Sequence, residues 1–93
     1  MYNNLEIVFD AIKNLRNIAK HDGISLANAW DFEWDTGLIW NDLRHDYQEH
    51  RMSGIGYIGF RLFHVVYVDR DGQRRIISLR KANKREEKRY AEA

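Results

Sequence analysis

Leu62-Phe63-His64-Val65-Val66-Tyr67-Val68-Asp69-Arg70-Asp71-Gly72-Gln73-Arg74-Arg75-Ile76-Ile77-Ser78-Leu79-Arg80 is the stretch that decides the fold. Two runs rich in β-branched and aromatic residues flank Asp71-Gly72. Both central residues of a type I′ turn need positive φ, which Asp followed by Gly tolerates well. The spacing therefore predicts a hairpin joining Leu62–Asp69 to Arg74–Arg80. With a two-residue turn Arg70 faces Gln73, and the register follows along the ladder. Tyr67 then faces Ile76, Val66 faces Ile77, Val65 faces Ser78, His64 faces Leu79 and Phe63 faces Arg80. The side holding Leu62, His64, Val66, Val68, Ile77 and Leu79 is expected to be core. The side mixing Phe63, Val65, Tyr67 and Ile76 with Ser78, Arg80, Asp69 and Arg74 is expected to be half-open, a face on which a ligand could lie.

Working upstream, Met52–Tyr57 and Phe60–Val68 read as a second hairpin turning near Gly59, and Thr36–Trp40 as a strand inside an acidic stretch. Leu5, Ile7 and Phe9 alternate with Glu6 and Val8, the period of a short strand. Asp10 can accept the amide bonds left open by a first helical turn. A helix is predicted from Ala11 to about His21, its core side made by Ala11, Ile12, Leu15, Ile18 and Ala19, with Gly23 as its left-handed stop. Ser25 can cap a shorter helix that places Leu26, Ala29 and Trp30 on one side. Downstream, Asn83 followed three residues later by Glu86 is a capping-box pattern, so a last charged helix from Lys84 to about Ala91 is predicted. The fold class is thus α+β, with the N-terminal helices on one face of a small antiparallel sheet and a short charged C-terminal helix.

At 93 residues, 44% of them hydrophobic and 13% aromatic, the chain suits a single domain, residues 1–93, with enough apolar material for one core. The absence of cysteine excludes disulfides and thiolate metal clusters. Low hydropathy excludes a membrane span or signal-peptide core, so a cytoplasmic location and no membrane partner are expected. The net charge of +1 hides an asymmetry, with −4 over residues 1–69 and +5 over residues 70–93. A cationic block of this kind suits a polyanion or an acidic protein partner, against the plainer reading of a solvated helix end.

Arg80, Lys81, Lys84, Arg85, Lys88 and Arg89 form that block, and such a cluster gives salt-sensitive nucleic-acid binding. Arg80, at a strand end, has the planar fork that suits a phosphate. Asp42, His45, Asp46 and Glu49 would share one face if helical, a workable metal set. Few apolar positions support such a helix, so this stretch is read as a surface loop and neither metal nor cofactor is expected. Among the histidines, His64 reads as a packed strand residue and His21 as an exposed helix end.

Two blocks make the chain similar to the BrnT toxins of bacterial type II toxin–antitoxin modules. The first is Asp10, Lys13, Asn17, Lys20 and His21. The second is Arg75-Ile76-Ile77-Ser78-Leu79-Arg80-Lys81-Ala82 followed by Arg85, Glu86, Arg89 and Tyr90. Glu49, Arg51, Ile55-Gly56 and Val65-Val66-Tyr67 fall in matching order between them, so the resemblance covers nearly the whole chain. It departs where Asp22 is inserted between His21 and Gly23, and where Phe9 replaces a tryptophan usual in the family.

The resemblance implies a RelE-like fold and a ribonuclease that inhibits translation. It also implies a BrnA-like ribbon-helix-helix antitoxin, through whose complex alone operator DNA is met. Metal-free RNA cleavage needs a base, an acid and cations on the phosphorane. The chain offers Arg51 and Arg80 for the phosphate, Glu49 or His21 for proton transfer, and Tyr90 to stack on a base. Lys20, Ser78, Lys81, Lys84, Arg85, Lys88 and Arg89 complete the expected RNA-binding set. The plainer readings are a surface ion pair for Glu49 and Arg51 and a helix anchor for Tyr90. A second functional reading is a non-catalytic homologue that binds an antitoxin or nucleic acid. A metal-dependent hydrolase is a distant third.

Overall fold

The computed structural model describes residues 5–44 and 48–93. Five strands form one sheet in the order β1-β5-β4-β3-β2. They are β1 (Glu6–Val8), β2 (Leu38–Asn41), β3 (Met52–Ile58), β4 (Arg61–Arg70) and β5 (Gln73–Lys81), with helices α1 (Ala11–Lys20) and α2 (Lys84–Ala91) and a 3-10 helix over Leu26–Asp31. The sheet is mixed rather than purely antiparallel, because the edge strand β1 runs parallel to β5.

Asp71 and Gly72 both take positive φ, 55° and 74°, as the type I′ turn requires. From that turn the pairs Arg70–Gln73, Asp69–Arg74, Val68–Arg75 and Tyr67–Ile76 form as expected. Beyond them the register changes. Val66 pairs with Ser78, Val65 with Leu79, His64 with Arg80 and Phe63 with Lys81, leaving Ile77 as the extra residue of a β-bulge. The expected pairs Val66–Ile77, Val65–Ser78, His64–Leu79 and Phe63–Arg80 therefore do not form.

Leu62, His64, Val66 and Val68 are buried as expected, but the side expected to be half-open carries the main core, and the bulge adds Leu79 to it. The main core gathers Val65, Tyr67, Ile76 and Leu79 with Ile7 and with Leu26, Ala29 and Phe32 from the 3-10 helix segment. Gly56 lets this layer close, since a Cβ there would lie 2.6 Å from the Phe32 ring. Ser78 and Arg80 leave that side and share the opposite face with His64 and Val66. That face is not simply open. Ile55, Leu62 and Ala82 form a second cluster there, with Leu38, Trp40, Tyr57 and Tyr90 packed against it.

Helix α1 starts where expected, with Asp10 accepting from the Lys13 amide at 2.9 Å. Most of its expected apolar face points outward instead, Ile12 being 61% and Leu15 67% exposed, while Ile18 is half-buried. The inward face is Asn14, Asn17, Ile18 and His21, and its attachment is polar. Asn17 is buried, and its amide donates to Leu79 O (2.8 Å) and Ile24 O (2.9 Å) while Oδ1 accepts from Leu79 N (3.2 Å). One side chain thus pairs with β5 as a neighbouring strand would, beyond the point where β1 ends. Asn14 Oδ1 accepts from Leu26 N at 2.7 Å, tying the next turn to the helix. Trp30 is exposed, apart from the buried Leu26 and Ala29 with which it was grouped.

Candidate active site

The bulge and α2 together build a polar cluster at the C-terminal end of β5. Helix α2 begins at a capping box, in which Glu86 N donates to Asn83 Oδ1 (2.9 Å) and Asn83 N donates to Glu86 Oε1 (3.0 Å). This turns the Glu86 carboxylate back toward the sheet. There Arg80 meets it end-on, Nη1 to Oε1 and Nη2 to Oε2, both at 2.8 Å. Nη1 also donates to Lys81 O at 3.2 Å.

His64, facing Arg80 across the ladder, lies beside this pair with Nε2 4.0 Å from Glu86 Oε2. It is only 4% exposed, and its Nδ1 has no hydrogen-bond partner among the described residues. Burial, reinforced by the charge of Arg80, lowers its pKa from 6.5 to about 4. The imidazole is therefore neutral at pH 7. Burial pushes the Glu86 carboxyl the other way, upward, but the bond from Arg80, the Asn83 amide and the nearby cations outweigh it and hold the pKa at about 2.

The last turn of α1 reaches the same end of β5, because Asn17 fastens it to Leu79. His21 is half-buried rather than exposed, and its pKa falls below 6.5 through burial and through the charges of Lys20 and Arg80. A neutral imidazole beside two cations, at a strand end presenting a guanidinium, can accept a proton close to a bound phosphate.

The remaining candidates spread outward from here. Ser78 shares the face and row of Val66. Lys81, Lys84, Arg85, Lys88 and Arg89 are exposed along β5's end and α2. Arg89 stacks on Trp40 with its guanidinium carbon 3.9 Å from the ring centroid. A shallow cleft of about 470 Å³ lies between Leu38 and Arg85, Lys88 and Arg89. Tyr90 serves as an anchor, its ring set edge-on to Tyr57 at 5.6 Å and its hydroxyl donating to Thr36 O at 3.1 Å.

Glu49 and Arg51 pair with each other at 3.4 Å at the start of β3. By the register Arg51 is four residues before Ile55, the residue level with His64 and Arg80. That is ~13 Å along the sheet and ~10 Å across two strands. The two arginines thus belong to different parts of the face. In the acidic stretch, Asp42 is buried and its carboxylate is taken by Arg44 through two bonds of 2.8 Å, while His45 and Asp46 lie outside the described residues. Among the described residues no group of three or more His, Asp or Glu is placed to hold a metal.

The row of cations leaves out Glu86, which the sequence offers as a helix cap and as part of the family-like block but not as a partner of Arg80. A carboxylate at the third helical position must point back along the chain, and Arg80 lies just upstream of that cap. This was the available signal. His64 could not be placed beside them without the bulge.

No helix among the described residues is long and apolar enough to cross a membrane. A family model described as the ribonuclease toxin BrnT of type II toxin–antitoxin systems matches residues 9–86, most of the chain. No curated protein gives a match.

Proposed function

The chain belongs to the BrnT family of ribonuclease toxins of type II toxin–antitoxin systems, and we propose that its nuclease centre is the end of β5 where Arg80, His21 and Lys20 converge. The carrying observation is that Asn17 fastens the last turn of α1 to Leu79, the residue before Arg80, so that the half-buried His21 ends near that strand end and feels the charges of Lys20 and Arg80. In the reaction a ribose 2′-hydroxyl attacks the adjacent phosphorus. The O2′–P bond forms, the P–O5′ bond breaks, and the products are a 2′,3′-cyclic phosphate and a 5′-hydroxyl. His21 takes the 2′-hydroxyl proton, solvent returns one to O5′, and Arg80 and Lys20 stabilise the charge gathering on the phosphorane. No metal takes part in these steps.

The exposed Lys81, Lys84, Arg85, Lys88 and Arg89 hold the RNA backbone through charge, with Ser78 on the same face. Arg51 holds a more distant phosphate, with Glu49 as the alternative proton acceptor there, and Tyr90 stacks on a base. The sheet with flanking helices is of RelE-like type. The cleaved RNA accounts for an arrest of translation in the cytoplasm. A toxin of this family has a protein antitoxin as partner; we take it to be a ribbon-helix-helix protein through which operator DNA is met.

The test is induced expression with and without the neighbouring reading frame, followed by growth and RNA integrity, and cleavage by purified protein in excess chelator. Arg80→Ala should lower cleavage by a factor on the order of 10² or more with folding retained. His21→Ala should remove an acid limb of the rate–pH profile lying below 6.5, the side to which its pKa is shifted. Full activity of Arg80→Ala, or cleavage abolished by chelator, refutes the assignment. A second reading, a non-catalytic antitoxin-binding homologue, is favoured by Asp22, which follows His21 directly and holds φ at +54°. Intact RNA together with tight antitoxin binding would select it.

A further inference from the structure

Five N–H groups ring a guanidinium, and counting those of Arg80 shows what Glu86 does to it. Nη1 spends both hydrogens, on Glu86 Oε1 and on Lys81 O, and Nη2 spends one on Glu86 Oε2. Among the described residues the two donors left without a partner are Nε–H and the second hydrogen of Nη2. These lie on one edge of the plane, side by side, the pair that fits two oxygens of a phosphate. Arg80 is thus neither neutralised nor loose: one fork is closed and the other is presented.

The holder is itself held. Glu86 Oε1 accepts from Asn83 N, and the Glu86 amide is fixed by Asn83 Oδ1. The capping box uses only one carboxylate oxygen. Oε2 is surplus to the cap, and its hydrogen bond goes to Arg80, with the neutral His64 ring filling the space beyond it at 4.0 Å. A glutamine would serve the cap as well, but only a carboxylate closes both prongs of the arginine.

We infer that Glu86 is a positioning residue for the reaction, fixing the plane of Arg80 so that its side-on edge, Nε–H and Nη2–H, meets the scissile phosphate. This rests on the role given to Arg80 above. A substrate-positioning contact made before RNA arrives removes a search that would otherwise fall on the bound complex, so its effect belongs in kcat more than in KM. The opposite role for the same contact is a brake, with Glu86 standing in for the phosphate until displaced. Removing it would then raise the rate.

Glu86→Gln separates the two. The glutamine Oε1 still accepts from Asn83 N, while its amide group meets Nη2 donor to donor. Single-turnover and steady-state cleavage of a defined single-stranded RNA oligonucleotide should show kcat falling on the order of 10- to 100-fold, KM changed by less than about threefold, and Tm nearly kept. In an Arg80→Lys background, which has no fork to orient, Glu86→Gln should add little further loss, a non-additivity that a merely structural cap would not produce. Should Glu86→Gln fail to fold, Glu86→Ala, which keeps the Asn83 Oδ1 half of the cap, serves instead. Wild-type or faster cleavage in the folded variant overturns the inference while leaving Arg80 in place, provided Arg80→Ala is inactive. An active Arg80→Ala overturns both.

Discussion

Replacing Asn17 by Ala tests whether α1 is held by an amide rather than by its apolar stripe. The side chain makes three hydrogen bonds, two to the backbone of Leu79 and one to Ile24 O. Each is worth ~1 kcal/mol net, and the Leu79 N–H, left in a fully buried residue, adds a desolvation cost of ~1 kcal/mol or more. Alanine is the better helix former by roughly 0.5 kcal/mol, which offsets part of this. The expected loss is about 2 to 4 kcal/mol, a large share of the ~5 to 15 kcal/mol typical of a domain. Leu15→Ala, at a site 67% exposed, should cost under ~1 kcal/mol. Urea titration followed by far-ultraviolet circular dichroism reads both, with an unchanged m-value showing that only stability moved. A loss below ~1 kcal/mol for Asn17→Ala with a larger one for Leu15→Ala would mean that α1 docks through the stripe after all.

His64 should make stability pH-dependent. Its folded pKa is about 4 against 6.5 unfolded, so between these values the unfolded chain binds a proton that the folded one does not, and stability falls as pH drops through this window. The loss at pH 5 is on the order of 2 kcal/mol. Urea midpoints at pH 7 and 5 should differ accordingly, and His64→Gln should flatten the difference; an unchanged slope would show that other groups carry it. Gly56→Ala should destabilise by ~1 to 3 kcal/mol, since the new methyl would lie 2.6 Å from a buried ring, and Phe32→Leu in the same chain should recover part of it. Additive losses would place the clash elsewhere.

What was legible in the sequence was local. Asp71-Gly72, Asp10, Ser25 and the Asn83–Glu86 box each act within four residues, and each forms a turn or cap where the residue type demands it. The face of α1 was misread because apolar periodicity shows which residues could be buried. It does not show that two asparagines, meeting β5 and the loop after the helix, will bury theirs instead. Arg80 was legible as a cation at a strand end. Its orientation was not, because Glu86 and His64 reach it only through tertiary structure.

The bulge at Ile77 explains why the site depends on a feature that no local pattern marks. In an unbroken ladder Arg80 and Ser78 would stand on the side of Val65 and Tyr67, beneath Leu26, Ala29 and Phe32, where a guanidinium would lose its water with no carboxylate to meet it. One extra residue turns the strand over. Leu79 enters the main core beside Val65, and Arg80 swings to the face that α2 closes, where the capping carboxylate of Glu86 waits. Core packing and arginine placement are therefore one constraint. Any change that restored the simple register would take Leu79 out of the main core and bury Arg80 within it, so stability and cleavage should be lost together.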